Sequence, residues 1–112
     1  MDCYSWNDIP EELVDPLWSR QMIHMPSMTI LRLRFKKGGS LSRHHHIHEQ
    51  VTMVTEGSIR IEVDGEEFRL VPGDVLRIPS NAMHFLEALE DSAATDVFTP
   101  AREDLKKPAE KR

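Results

Sequence analysis

Arg43-His44-His45-His46-Ile47-His48-Glu49-Gln50 is the stretch on which the reading of this chain turns. Four of the six histidines fall within five positions, and a glutamine closes the run. Neutral imidazole nitrogen is the commonest protein ligand for divalent transition metals, and an amide oxygen can join it. A histidine run can also be an expression tag or a solvated loop with chance metal affinity. Tags sit at termini, whereas this run is internal, between Gly38-Gly39-Ser40 and a strand-like segment. A true ligand cluster is the preferred reading. His84 follows a second glycine-proline pattern downstream and is the obvious additional ligand.

Outward from this stretch the chain reads as strands. Met28 to Phe35 alternates, with Leu31, Leu33 and Phe35 on one face and Arg32 and Arg34 on the other, so a half-buried strand is predicted. Gln50 to Thr55 reads as another, ended by Glu56-Gly57. Ser58 to Val63 alternates cleanly into Asp64-Gly65, a strong hairpin-turn dipeptide, and Glu67 to Val71 returns. Pro72-Gly73-Asp74 is a further turn, followed by strands at Val75 to Ile78, Ala82 to Leu89 and Ala93 to Phe98. Asp8 to Leu13 reads as a short capped helical turn, with Asp8 as cap and Pro10 in the first turn. Many short strands between turn signals, with no useful amphipathic helix, predict an all-β sandwich or barrel.

The 112 residues suit one domain, with a core over about residues 19–102 and a charged, solvated tail from Glu103 to Arg112. A net charge of -5 offers no basic face for nucleic acid. No apolar run approaches the roughly 20 residues a membrane span needs. Met1 to Asp8 is neither basic nor apolar, so no signal peptide is expected. Cys3 has no partner for an internal disulfide, which fits a reducing cytoplasm.

Two spaced patterns can be written out. The first is Gly38, five residues, His44, one residue, His46, three residues, Gln50, six residues, Gly57. The second is Gly73, five residues, Pro79, one residue, Asn81, two residues, His84. Together they resemble the two motifs of the cupin family, from about Met28 to Phe98. The resemblance implies a double-stranded β-helix, a jelly-roll barrel. It also implies that His44, His46, Gln50 and His84 bind one divalent metal inside it, with nickel, zinc, manganese and iron all open. Glutamate is usual at position 50; the neutral amide removes one negative charge. Asn81 stands where glycine is usual and Ala88 where asparagine often stands. His45 has the wrong parity for the metal. His48 has the right parity but is expected in a turn, lining the pocket mouth or, preferably, solvated. His24 is given no role.

The closing segment Thr95-Asp96-Val97-Phe98-Thr99-Pro100-Ala101-Arg102-Glu103-Asp104-Leu105 narrows the resemblance to the pectin-degradation cupins of the KdgF type. That family converts 4,5-unsaturated monouronates to linear keto forms. By position, the resemblance implies that Asp96 and Arg102 are catalytic and that Phe98 and Arg102 meet the substrate. From pattern alone, Phe98 is as readily core, Asp96 a surface partner and Arg102 a solvated residue. Arg77 is expected to face solvent or an interface salt bridge. A homodimer is expected, because an uncovered sheet edge is a liability. The competing functions are another cupin enzyme, a dioxygenase or sugar isomerase, and a non-catalytic cupin that binds a small ligand.

Overall fold

Ten strands form two antiparallel sheets in the computed structural model, which describes residues 1–106. They are β1 (Glu12–Asp15), β2 (Trp18–His24), β3 (Thr29–Phe35), β4 (Ser40–His44), β5 (Glu49–Glu56), β6 (Ile59–Val63), β7 (Glu66–Leu70), β8 (Val75–Ile78), β9 (His84–Ala88) and β10 (Ser92–Thr99). One sheet has the order β1-β2-β3-β10-β5-β8 and the other β4-β9-β6-β7. Their facing sides enclose a core that includes Leu31, Leu33, Phe35, Val54, Ile59, Ile61 and Leu86.

Alternation decides the clearest strands. Leu31, Leu33 and Phe35 point inward from β3, while Arg32 and Arg34 point outward. The β6–β7 hairpin turns on Asp64 and Gly65, whose φ angles of 47° and 84° are both left-handed, as a two-residue primed turn requires. Gly57 ends β5 at φ 76°, and a Cβ there would sit 2.3 Å from the Asp91 carbonyl oxygen. Only glycine fits this approach of the β5–β6 and β9–β10 connections.

The structure departs from the sequence reading in four places. The helical turn lies at Trp6–Asp8, capped by the Ser5 side chain, not at Asp8 to Leu13. Ile9 is extended, as a residue preceding proline prefers, and Glu12 and Leu13 belong to β1. β2 is given no bounds in the sequence reading, because the N-terminal segment covers its outer face. Ser19 bonds Glu11 there, and Gln21 donates to the Trp6 and Ile9 carbonyls at 2.6 and 2.8 Å, so Ser19 and Gln21 are buried and the alternation is erased. β4, Ser-Leu-Ser-Arg-His, is a short edge strand with almost no apolar signal. Lastly, Glu103–Leu105 forms a helical turn whose Leu105 packs on the core. The remainder of the expected tail, 107–112, lies outside the described residues. No described helix is long and apolar enough to cross a membrane.

Candidate metal centre and cavity

Strand pairing gathers the histidines. His44 on β4 lies directly opposite His84 on β9, and their ring centroids are 4.1 Å apart. His46, in the β4–β5 connection, is 5.0 Å from His84 and 5.8 Å from His44 by the same measure. Ligand atoms of His44, His46 and His84 all fall within 4.8 Å of one another. Gln50 enters from β5 in the other sheet and brings Oε1 to 3.1 Å from His46 Nε2.

The tautomers follow from the backbone. His44 Nδ1 meets the Ser42 carbonyl at 2.8 Å, His84 Nδ1 the Ala82 carbonyl at 2.8 Å and His46 Nδ1 the His48 carbonyl at 3.2 Å. A carbonyl only accepts, so Nδ1 of His44 and of His84 carries a proton; His46 lies between two acceptor oxygens, the His48 carbonyl and Gln50 Oε1, and its neutral ring can donate to one and present a lone pair to the other. Burial holds His84 below its ordinary pKa and, with Arg102 and His84 nearby, holds His46 down to about 4. Both rings are therefore neutral near pH 7. His84 Nε2 is buried with no hydrogen-bond partner. An orphaned lone pair, two more beside it and a neutral amide oxygen fit a divalent transition metal, with every imidazole oriented through its other nitrogen.

Beside this cluster, Asp96 is buried on β10 opposite Thr52 of β5. Thr52 Oγ1 donates to Asp96 Oδ1 at 2.7 Å and accepts from Gln50 Nε2 at 2.9 Å. Burial raises the Asp96 carboxyl to about 6, against the opposing effects of Thr52, Gln50 and Arg102. Phe98 is buried two residues along the same face. The Arg102 guanidinium lies 4.7 Å from the Phe98 ring centroid and grips Asp104 through two bonds of 3.0 and 2.8 Å. That pairing holds the Asp104 carboxyl down at about 2. The Arg102 backbone N–H is fixed in turn by Thr29 Oγ1 at 2.8 Å.

His44, Gln50, His84, Asp96, Phe98 and Arg102 line one cavity of about 440 Å³, within the usual range of small-ligand sites. Its polar end carries His44, Gln50, His84, Asp96 and Arg102, and its apolar wall includes Trp18, Leu33, Ile61 and Leu86. The spacings, the fold and the metal-fitting donor set converge, and a profile of the cupin domain matches residues 31–98. This chain belongs to the cupin family.

Among its relatives, this cupin is 32% identical over 97 residues to the pectin degradation protein KdgF of Dickeya dadantii (strain 3937). That match covers 85% of this chain and 88% of that protein. It superposes on the structure of KdgF from Halomonas sp. with a TM-score of 0.89 and 31% identity, covering 95% and 99% of the two chains. An RmlC-like cupin from Shewanella frigidimarina NCIMB 400 gives a TM-score of 0.87 at 29% identity, covering 92% and 94%.

The cupin's departures from the usual motif have local explanations. Asn81 has φ 62°, a left-handed conformation that asparagine tolerates better than most residues, so it replaces glycine without altering the turn. His45 is exposed, and Arg77 is exposed on β8. His24 Nδ1 bonds Thr29 Oγ1 at 2.9 Å on the β2–β3 pair, a structural contact. His48 corrects the preference for a solvated residue. It is only 6% exposed, because its ring packs 5.3 Å from that of His46 and 6.4 Å from that of Phe98. Sequence reasoning misses three features of the site: Thr52, Asp104 and the burial of His48. Thr52 shares the parity of Gln50 on one strand, and Asp104 stands two residues from Arg102, so spacing alone holds both signals.

Proposed function

We propose that this cupin is a metal-dependent enzyme that opens 4,5-unsaturated monouronates of pectin or alginate breakdown to their linear keto forms. The observation that carries it is a buried carboxyl with a pKa of about 6 sharing a cavity with a guanidinium and with His44, His84 and Gln50 of a metal-fitting cluster that His46 completes. Likeness to KdgF proteins in sequence and structure supports the substrate class.

His44, His46, His84 and Gln50 would hold one divalent transition metal, which when bound polarises substrate oxygens as a Lewis acid. Asp96 moves the proton. Ketonisation of an enol takes a proton from oxygen and delivers one to carbon, and a carboxyl near pKa 6 can both accept and donate near neutrality. Thr52 anchors one Asp96 oxygen and leaves the other for this exchange. Arg102 reads the substrate carboxylate with the N–H donors that Asp104 leaves free. Phe98 and the apolar wall pack on the carbon skeleton and exclude water. Leu13, Val14 and Leu17, exposed on and beside edge strand β1, support a homodimer that covers this edge.

The test is the loss of ultraviolet absorbance of the 4,5 double bond, using metal-loaded protein and unsaturated galacturonate. A loss faster than the spontaneous rate and sensitive to chelator is expected. A spontaneous rate with metal bound would remove this substrate and move attention to oxygen-dependent chemistry or simple ligand binding.

A further inference from the structure

Resting on the reading of His44, His46, His84 and Gln50 as a metal site, we propose that Thr52 is a positioning residue for the Gln50 ligand. It locks the amide so that its oxygen, not its nitrogen, faces the metal, and thereby keeps the site open.

Thr52 is fully buried, at 0% exposure, on β5 between Leu76 of β8 and Asp96 of β10. Its hydroxyl has one proton and touches two partners: Asp96 Oδ1 at 2.7 Å and Gln50 Nε2 at 2.9 Å. The amide nitrogen can only donate. The threonine oxygen therefore accepts from Gln50, and its single proton goes to Asp96. With Nε2 occupied, Gln50 Oε1 must point the other way, toward His46 Nε2 at 3.1 Å.

What this arrangement offers depends on where the His46 proton sits. With its proton on Nε2, His46 donates to Oε1; with its proton on Nδ1, toward the His48 carbonyl at 3.2 Å, the form a ring ligating through Nε2 needs, Nε2 and Oε1 face each other as two lone pairs. Rotating the Gln50 amide by half a turn would relieve this, because Nε2–H would then donate to His46. The same rotation would remove an amide oxygen and an imidazole lone pair from the donor set. Thr52 opposes it: the rotated amide would present oxygen to a hydroxyl whose proton is already committed. In the Nδ1-protonated form, a cation between the donors satisfies both lone pairs at once. The same logic accounts for an amide at position 50. A glutamate there would compete with Asp96 for the one Thr52 proton, whereas glutamine accepts the arrangement as it stands.

The test measures Zn2+ and Ni2+ affinity by competition with a chromophoric chelator, in wild type, Thr52→Val and Thr52→Ser, with melting curves to confirm folding. Thr52→Val is expected to bind roughly 10–100-fold more weakly, the range seen when an orienting partner of a ligand is lost. Thr52→Ser, which keeps the hydroxyl, is expected to recover most of that loss. In a Gln50→Ala background, Thr52→Val should cost almost nothing more, because Thr52 acts through Gln50. Should Thr52→Val fail to fold, the smaller Thr52→Ala carries the same expectation. Wild-type affinity in a folded Thr52→Val or Thr52→Ala, or an undiminished loss in the Gln50→Ala background, overturns the role of Thr52 alone. Failure of the wild type to bind either ion overturns the metal reading and this inference with it.

Discussion

β5 and β10 pair along their whole length, yet their two halves are made of opposite chemistry. Near the His46 end, the inward residues are Gln50, Thr52, Asp96 and Phe98. Two residues further along the same pleat they are Val54 and Ala94, 2% and 0% exposed. The apolar half needs nothing but shape. The polar half is tolerable in a buried position because its groups satisfy one another from strand to strand, Gln50 to Thr52 to Asp96. Among the described residues, the buried side-chain atoms left without a partner are His84 Nε2, in the histidine cluster beside the polar half, and His48 Nδ1, whose ring packs against His46 of that cluster. Where the interior is unfinished is where a ligand is expected.

The sharpest way to break this contrast is Asp96→Asn. The amide oxygen still accepts from Thr52, so metal binding should persist, while turnover of the unsaturated uronate should fall about 10²–10⁴-fold. Retained turnover would remove Asp96 from the chemistry. His84→Ala should separate the halves the other way, lowering metal affinity more than about 100-fold. Isothermal titration checks this, and an unchanged affinity would mean that the cluster is packing.

The apolar half should respond only in stability. Val54→Ala is expected to cost about 1.5–3 kcal/mol in denaturant unfolding and leave metal affinity unchanged. A loss of metal affinity there would show that the halves are mechanically coupled.

A smaller effect concerns pH in the metal-free protein. His46 has a folded pKa of about 4 against an ordinary 6.5, so its contribution is fully present above pH 6.5 and is lost as pH falls toward 4. Asp96 runs the opposite way. Raised from 3.8 to about 6, it favours the folded state increasingly as pH falls between those values. The two offset each other between roughly pH 4 and 6, with His84 adding to the histidine side. Asp96→Asn should therefore make the acid-side decline in melting temperature steeper than in wild type. Parallel curves would mean that Asp96 is already ionised in that range.

Much of the contrast is legible in the sequence. β8 can be read to the residue, and β3, β6 and β7 within one or two, because each has one wet and one dry face, or a turn whose dihedrals only particular residues adopt. The His44, His46, Gln50 and His84 set is legible through the resemblance to the cupin motifs; spacing alone puts His44 and His46 on one side of extended chain and says nothing of where His84 arrives. β2 is hidden because Ser19 and Gln21 are buried by a separate segment on its other face, which no local period records. Thr52 is hidden for a different reason. Threonine is an ordinary strand residue, and only the pairing of β5 with β10 places it against Asp96.

Each of the three imidazoles takes its orienting carbonyl from a residue two positions away in its own chain segment: Ser42 for His44, Ala82 for His84 and His48 for His46. The instruction for aiming a ligand thus travels with a tripeptide and owes little to the opposite wall. Such a centre is portable. An evolving barrel can exchange a substrate-side residue such as Phe98, and so explore new substrates, while the carbonyls that aim the histidines stay in place.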